Sequence, residues 1–272
     1  NFTYIMIRFA YTALFLLCSV IQAQSFGQNK VQYRDFEWSF ISSPNFDVYY
    51  YGDELDLATF TMEAANEAYE QIGKHLRWNL KKRVPILVYH SHNEFQQNNA
   101  VGVYMSEGIG GVTELFKNRV VIPFEGDYKA FRHVIHHELV HAMINDLIYG
   151  GRMNNVASGQ VRWSIPLWAN EGLAEYLSSN WDTEADMIIR DLAINERIPT
   201  VKELEYFLAY KGGQSVWKFI AEKYGREKIG EVFQDMKRLR GAEKGFKSAI
   251  GMDYDELTEQ WHKYIKKESA LF

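Results

Sequence analysis

Apolar and polar positions divide the chain into a first half of alternating strands and helices and a second half of helices alone. Asn45–Tyr51 is an aromatic-rich run that predicts a strand, and Val84–Tyr89 predicts a second, buried one. Between them, from Asp53 or Glu54 to His75, the apolar residues Leu57, Phe60, Ala64, Ala68 and Ile72 fall on one side of a long helix. Glu94 to Asn98 makes at most a short helix. Gly110–Leu115 and Arg119–Pro123 form a hairpin turning at Lys117–Asn118. A helix then runs from about Asp127 to Ile148, with no Pro or Gly between Tyr128 and Leu147. Its residues Phe131, Val134, Ile135, Leu139, Ala142, Met143 and Ile144 are too many for a surface helix. After a polar loop, Gly150 to Ser164, Pro166 opens a helix ending near Ser179. Helices follow at Asp182–Asn195, at Gln214–Tyr224 with Gly225 as its stop, at Glu227–Arg238 and at Asp255–Lys267; Val201–Phe207 is short. There are no internal repeats. The fold class is α+β: a small mixed-sheet lobe, a central helix, and an all-helical C-terminal lobe, with a cleft between the lobes.

The central helix carries His137-Glu138-Leu139-Val140-His141. Residues four apart on a helix sit one above the other, so His137 and His141 can aim both imidazoles at one ion. Glu138 is displaced by about a third of a turn and is better placed to reach a water beside that ion. A bare H-E-x-x-H arises by chance at a rate on the order of a few per cent. Here the segment is helix-compatible throughout, and a second helix bearing Asn170-Glu171 follows at a usable distance. A continuation with Gly at position 144 and His at 147 would supply a third imidazole, but the chain has Ile144 and Leu147. His133 and His136 read as structural, because a His133/His137 pair has Val134 where a base is needed. His90 and His92 read as solvated loop residues, and Asp191 as a solvated acid.

With its second motif, Asn170-Glu171-Gly172-Leu173-Ala174-Glu175, the chain resembles the gluzincin zinc metallopeptidases. More closely, Pro166 to Tyr176 resembles the peptidase-MA-like domains of exported bacterial proteins. The resemblance covers roughly residues 40 to 265 and is sharp only in the two motifs. It implies a zincin-like fold, a Zn2+ cofactor held by His137, His141 and Glu171, and Glu138 as general base. Glu175, four residues after Glu171, is then the carboxylate that orients a zinc-bound imidazole, and Asn170 is expected to support the same site. Tyr210, ahead of Lys211-Gly212-Gly213-Gln214-Ser215, matches a recurrent family segment and is the candidate for holding the oxyanion; core packing is its other reading. Gly110–Glu114 is implied to be an edge strand that pairs with the substrate main chain, or else it is an ordinary hairpin strand. Such domains often precede a β-propeller, so a longer form carrying one is an expectation.

Composition narrows the setting. The 272 residues are 47% hydrophobic and 15% aromatic, enough for one large domain or two closely packed lobes. Lys and Arg number 30 against 35 Asp and Glu, and a net charge of -5 gives no reason to expect a nucleic-acid partner. Arg8 followed by the apolar run Phe9–Ile21 and then Gln22-Ala23-Gln24 reads as a signal peptide over residues 1–24. A retained anchor is the alternative, and Met6 is a candidate initiator. Cys18, the single cysteine, falls in this segment, without the small residues of a lipoprotein site. The organisation expected is therefore leader 1–24, a loose polar linker 25–35, an α+β lobe 36–150 with the metal-binding helix, and a helical lobe 151–272 with the third ligand. The mature chain is expected to be exported, to periplasm, envelope or medium, with no membrane span and with a peptide or protein as substrate. Two rivals remain at this level: a metal-retaining binding or scaffold module with little or no proteolysis, and a zinc hydrolase acting on a non-peptide amide.

Overall fold

The structure, a computed structural model of the chain, describes residues 30, 33–99, 109–115, 117–150 and 164–269. The leader, most of the linker and nearly all of the polar loop lie outside the described residues. A five-stranded mixed sheet has the order β1-β2-β3-β5-β4. Its strands are β1 (Trp38–Ser42), β2 (Phe46–Tyr51), β3 (Val84–Tyr89), β4 (Val112–Thr113) and β5 (Val120–Pro123). β1 and β4, at the two edges, pair antiparallel with their neighbours, whereas β2, β3 and β5 run parallel. The crossover from β2 to β3 is α1 (Leu55–Leu76), whose buried stripe Leu57, Ala64, Ala68, Ile72 and Leu76 follows the helical period. The opposite sheet face carries a separate aromatic cluster of Tyr51, Tyr89 and Phe95, with Phe36 and Trp38 packed on it. β1 was not expected from the sequence. Part of the linker also proves to be tied down, since the Lys30 and Tyr33 backbone N–H groups donate to Asn99 and Gln97, and Arg34 pairs with Glu94 at 2.6 Å. These bonds reach α2 (His92–Phe95), the short helix expected at Glu94–Asn98, and the residues just after it.

The central helix is α3 (Tyr128–Tyr149). Asp127 caps its start by accepting from the N–H groups of Lys129 and Ala130, at 2.8 and 3.1 Å. Gly150, at φ 68°, closes its end in the left-handed conformation that glycine takes without penalty. α3 is buried on nearly every side, by α1, the sheet edge β4–β5, α4 (Leu167–Ser179) and α7 (Glu227–Leu239). α5 (Thr183–Ile194), capped by Asp182, leads through a turn at Val201–Glu203 to α6 (Phe207–Tyr224). α6 begins two turns earlier than its amphipathic stretch suggested. α8 (Ala242–Ile250), which was not expected, and α9 (Tyr254–Ser269) complete the chain. One continuous apolar core runs from Phe46 and Val48 through α3 to Trp217, Phe233 and Trp261. Among the described residues no helix is long and apolar enough to cross a membrane.

The closest helix contact is between α4 and α6. A Cβ on Gly172 would lie 2.3 Å from the Gly213 carbonyl carbon, so the two backbones meet at a glycine pair. Trp217 reinforces the crossing by donating its indole N–H to the Ala169 carbonyl at 2.9 Å. This contact places α6 beside the functional face of α4.

Candidate metal centre

Three helices and one strand deliver the site. His137 and His141, one turn apart on α3, present rings 4.9 Å apart at 75°. Their Nε2 atoms lie 3.2 and 3.1 Å from the same oxygen of Glu171, on α4. The structure brings these three side chains together. Each offers one ligand atom, and the three atoms lie within 4.8 Å of one another. Two imidazoles and a carboxylate, all largely buried, form a donor set that could hold a divalent metal ion with a position left open. The second nitrogen of His137 is already committed, because Nδ1 donates to Glu175 at 3.0 Å. That bond leaves Nε2 to face Glu171, as an orienting carboxylate should.

The charges reinforce this arrangement. Burial opposes charge on His137, yet hydrogen bonds to Glu171 and Glu175 and the negative charge of Glu138 carry its pKa up to about 10. Burial would raise Glu171, but the charge of His141 and hydrogen bonds from both imidazoles hold it far below the usual carboxylate range. Glu175 is likewise held down against burial, by His133, His137 and Lys211. His136 stays neutral, because burial and then the nearby histidines push it down to about 4.

Other residues fall where the sequence could not place them. Lys211, on α6, is buried and sits 3.0 Å from Glu175, 3.1 Å from Glu184 and 3.3 Å from Asp182. His133, expected as structural, has Nδ1 3.1 Å from the Ser179 hydroxyl and Nε2 3.7 Å from Glu175. His133, His137 and Glu175 could also group round an ion, both imidazoles facing Oε1 of Glu175 while the Lys211 ammonium holds Oε2. Asn170 lines the cavity beside Glu171, His137 and His141. Nδ1 of His141 is buried without a partner among those residues. Asn170 stands one position before Glu171 and so lies about 100° round α4 from the face shared by Glu171 and Glu175. His90 stacks on Tyr51, and Asp191 is an exposed acid bonded to Asn195.

Tyr210 lies with its ring nearly parallel to that of His137, 15° between planes and 6.2 Å between centroids. Burial first, then the charges of Glu171, Glu138 and Glu175, push its hydroxyl up to about 12, so it is a donor at neutral pH. β4 runs along α3 as an edge strand; of the expected Gly110–Glu114, Val112–Thr113 is in register with β5, and the Glu114 N–H donates to the Arg119 carbonyl at 2.8 Å. Two adjoining cavities of about 510 and 460 Å³ open on either side of Glu138 and share His137, Tyr210 and Gly111 in their walls.

Fold and cluster together define a zincin-like protein whose central helix and its neighbour supply a set of metal-capable side chains. The chain belongs to the Peptidase MA superfamily, whose profile it matches over residues 64–267. It is similar to the Bacillus subtilis (strain 168) protein named uncharacterized protein YhcO, at 23% identity over 238 residues, covering 82% of this chain and 70% of the relative.

Proposed function

We propose that this protein is a zinc-dependent peptidase of the gluzincin type that hydrolyses peptide bonds of exported or extracellular substrates. The observation that carries the reading is the convergence of His137, His141 and Glu171 within hydrogen-bond distance of one point, with Glu138 beside it. When bound, a zinc ion polarises a scissile carbonyl and lowers the pKa of an adjacent water toward neutrality. Glu138 accepts the proton of that water as it attacks, and then passes it to the departing amine. Tyr210, held protonated by its surroundings, donates to the oxyanion that develops on the carbonyl oxygen. Glu175 keeps His137 in the tautomer that presents Nε2. The β4 edge offers main-chain donors and acceptors to an extended peptide, which gives affinity with little demand on its sequence. The apolar run Phe9–Ile21 supports export of the mature domain, and the two lobes, 36–150 and 151–272, are proposed to contribute the two walls of the cleft.

The test is digestion of casein and of a peptide library by the zinc-loaded protein, with and without chelator, beside Glu138→Gln. Chelator-sensitive cleavage by the wild type, abolished in a variant that still holds zinc, is the expected result. Equal turnover by Glu138→Gln would refute the base assignment. A metal-loaded wild type that cleaves nothing would leave a binding module.

A further inference from the structure

A carboxylate that works as a proton shuttle has to be aimed, and the helix alone does not aim it, because a glutamate side chain has three rotatable bonds. Among the described residues, one side chain donates to the Glu138 carboxylate: the Thr113 hydroxyl, on β4, lies 2.6 Å from Oε2. The same hydroxyl lies 2.9 Å from the backbone carbonyl of Glu138. It has a single proton to give, and the shorter, charged acceptor is the carboxylate. Thr113 therefore spans both ends of one glutamate and limits its rotamers.

Two further features show that this is a built arrangement. Gly111, two residues before Thr113 and on the same side of the strand, leaves room for the carboxylate. A Cβ there would come within 3.0 Å of Glu138 Cγ and 3.1 Å of Oε1. The hairpin itself is fixed to α3, since Asn118 at its turn donates to the Ala142 carbonyl at 3.0 Å, one helical turn beyond Glu138. Arg119 and Glu114 close the hairpin at 2.6 Å.

We propose that Thr113 is a positioning residue for the reaction: its hydroxyl anchors Oε2 of Glu138 and leaves Oε1, on the Gly111 side, free to take and return the proton. The inference rests on Glu138 being the general base. Thr113→Val keeps the shape and the strand propensity and removes the donor, whereas Thr113→Ser keeps the donor. A base off its aim by about 1 Å costs on the order of a hundredfold in rate, so kcat of Thr113→Val should fall roughly ten- to a hundredfold. KM and zinc stoichiometry should stay at the wild-type level, and Thr113→Ser should recover most of the loss. The second readout needs no turnover: crystal structures of the metal-free wild type and Thr113→Val should show the Glu138 carboxylate displaced only in the variant. An unchanged kcat, an equal loss in the serine variant, or a carboxylate that keeps its place would each overturn the proposal. A wild type that cleaves no peptide defeats the peptidase reading instead, and the pair of crystal structures still decides the role of Thr113.

Discussion

Replacing Lys211 by methionine removes an ammonium group buried among carboxylates while keeping most of its aliphatic stem. The pair with Glu175 is the costly one to break, because both side chains are only 10% exposed. Truncating one partner of such a pair leaves an uncompensated buried charge and costs about 3–5 kcal/mol. The contacts with Asp182 and Glu184 involve partners 30% and 58% exposed and are worth about 0–1 kcal/mol each. For a chain of this size the melting temperature should fall on the order of 10 °C. Glu175 also orients His137, so zinc affinity should weaken roughly ten- to a hundredfold. The assays are thermal unfolding of the metal-free protein and competition with a chelator of known zinc affinity. pH gives an internal check. Burial pulls Lys211 down, but its carboxylate partners, Glu175 foremost, hold it above its ordinary 10.5. Its contribution is therefore complete below 10.5 and is lost as pH rises through the folded value. The stability gap between wild type and variant should persist through neutral pH and narrow in strong alkali. A variant melting within ~2 °C of the wild type, with unchanged zinc affinity, would refute the reasoning.

His137, at about 10, is protonated at pH 8 without metal, so zinc binding should release about one proton, read by calorimetry in buffers of different ionisation enthalpy. The same shift has a stability consequence in the metal-free protein. A histidine raised above its ordinary 6.5 stabilises fully below that value and loses the contribution as pH climbs through about 10, so the melting temperature should decline over that window. Gly172→Ala should cost roughly 1–3 kcal/mol by overpacking against Gly213, and, by shifting α4, should also reduce zinc content; denaturant unfolding with metal analysis checks both.

Elements whose ends carry local signals were legible in the chain. Asp127 and Gly150 bracket α3, and Pro166 and Asp182 mark the starts of α4 and α5. The metal-capable set was legible because its spacing along two helices is itself the chemistry. What escaped was set by tertiary contact. Gly212 and Gly213 look like a break, yet α6 runs through them, because α4 passes too close to Gly213 for a side chain and Leu204 packs directly on Gly212. Gly245 hides α8 for the same reason, since a Cβ there would meet Met236 at 2.4 Å. β1 is an exposed edge strand whose mixed pattern carries little hydrophobic signal. Thr113 and Lys211 lie 25 and 36 residues from the carboxylates they contact, and no local pattern connects those positions.

X-ray absorption at the zinc edge, on the zinc-loaded wild type and on Glu171→Ala, tests the metal centre most directly. The wild type should hold one ion per chain, bound by two imidazole nitrogens at about 2.0–2.1 Å and by carboxylate oxygen at about 2.0–2.2 Å, with the carboxylate contribution and most of the zinc lost in the variant. An ion retained in full by Glu171→Ala, with its coordination shell unchanged, would contradict it.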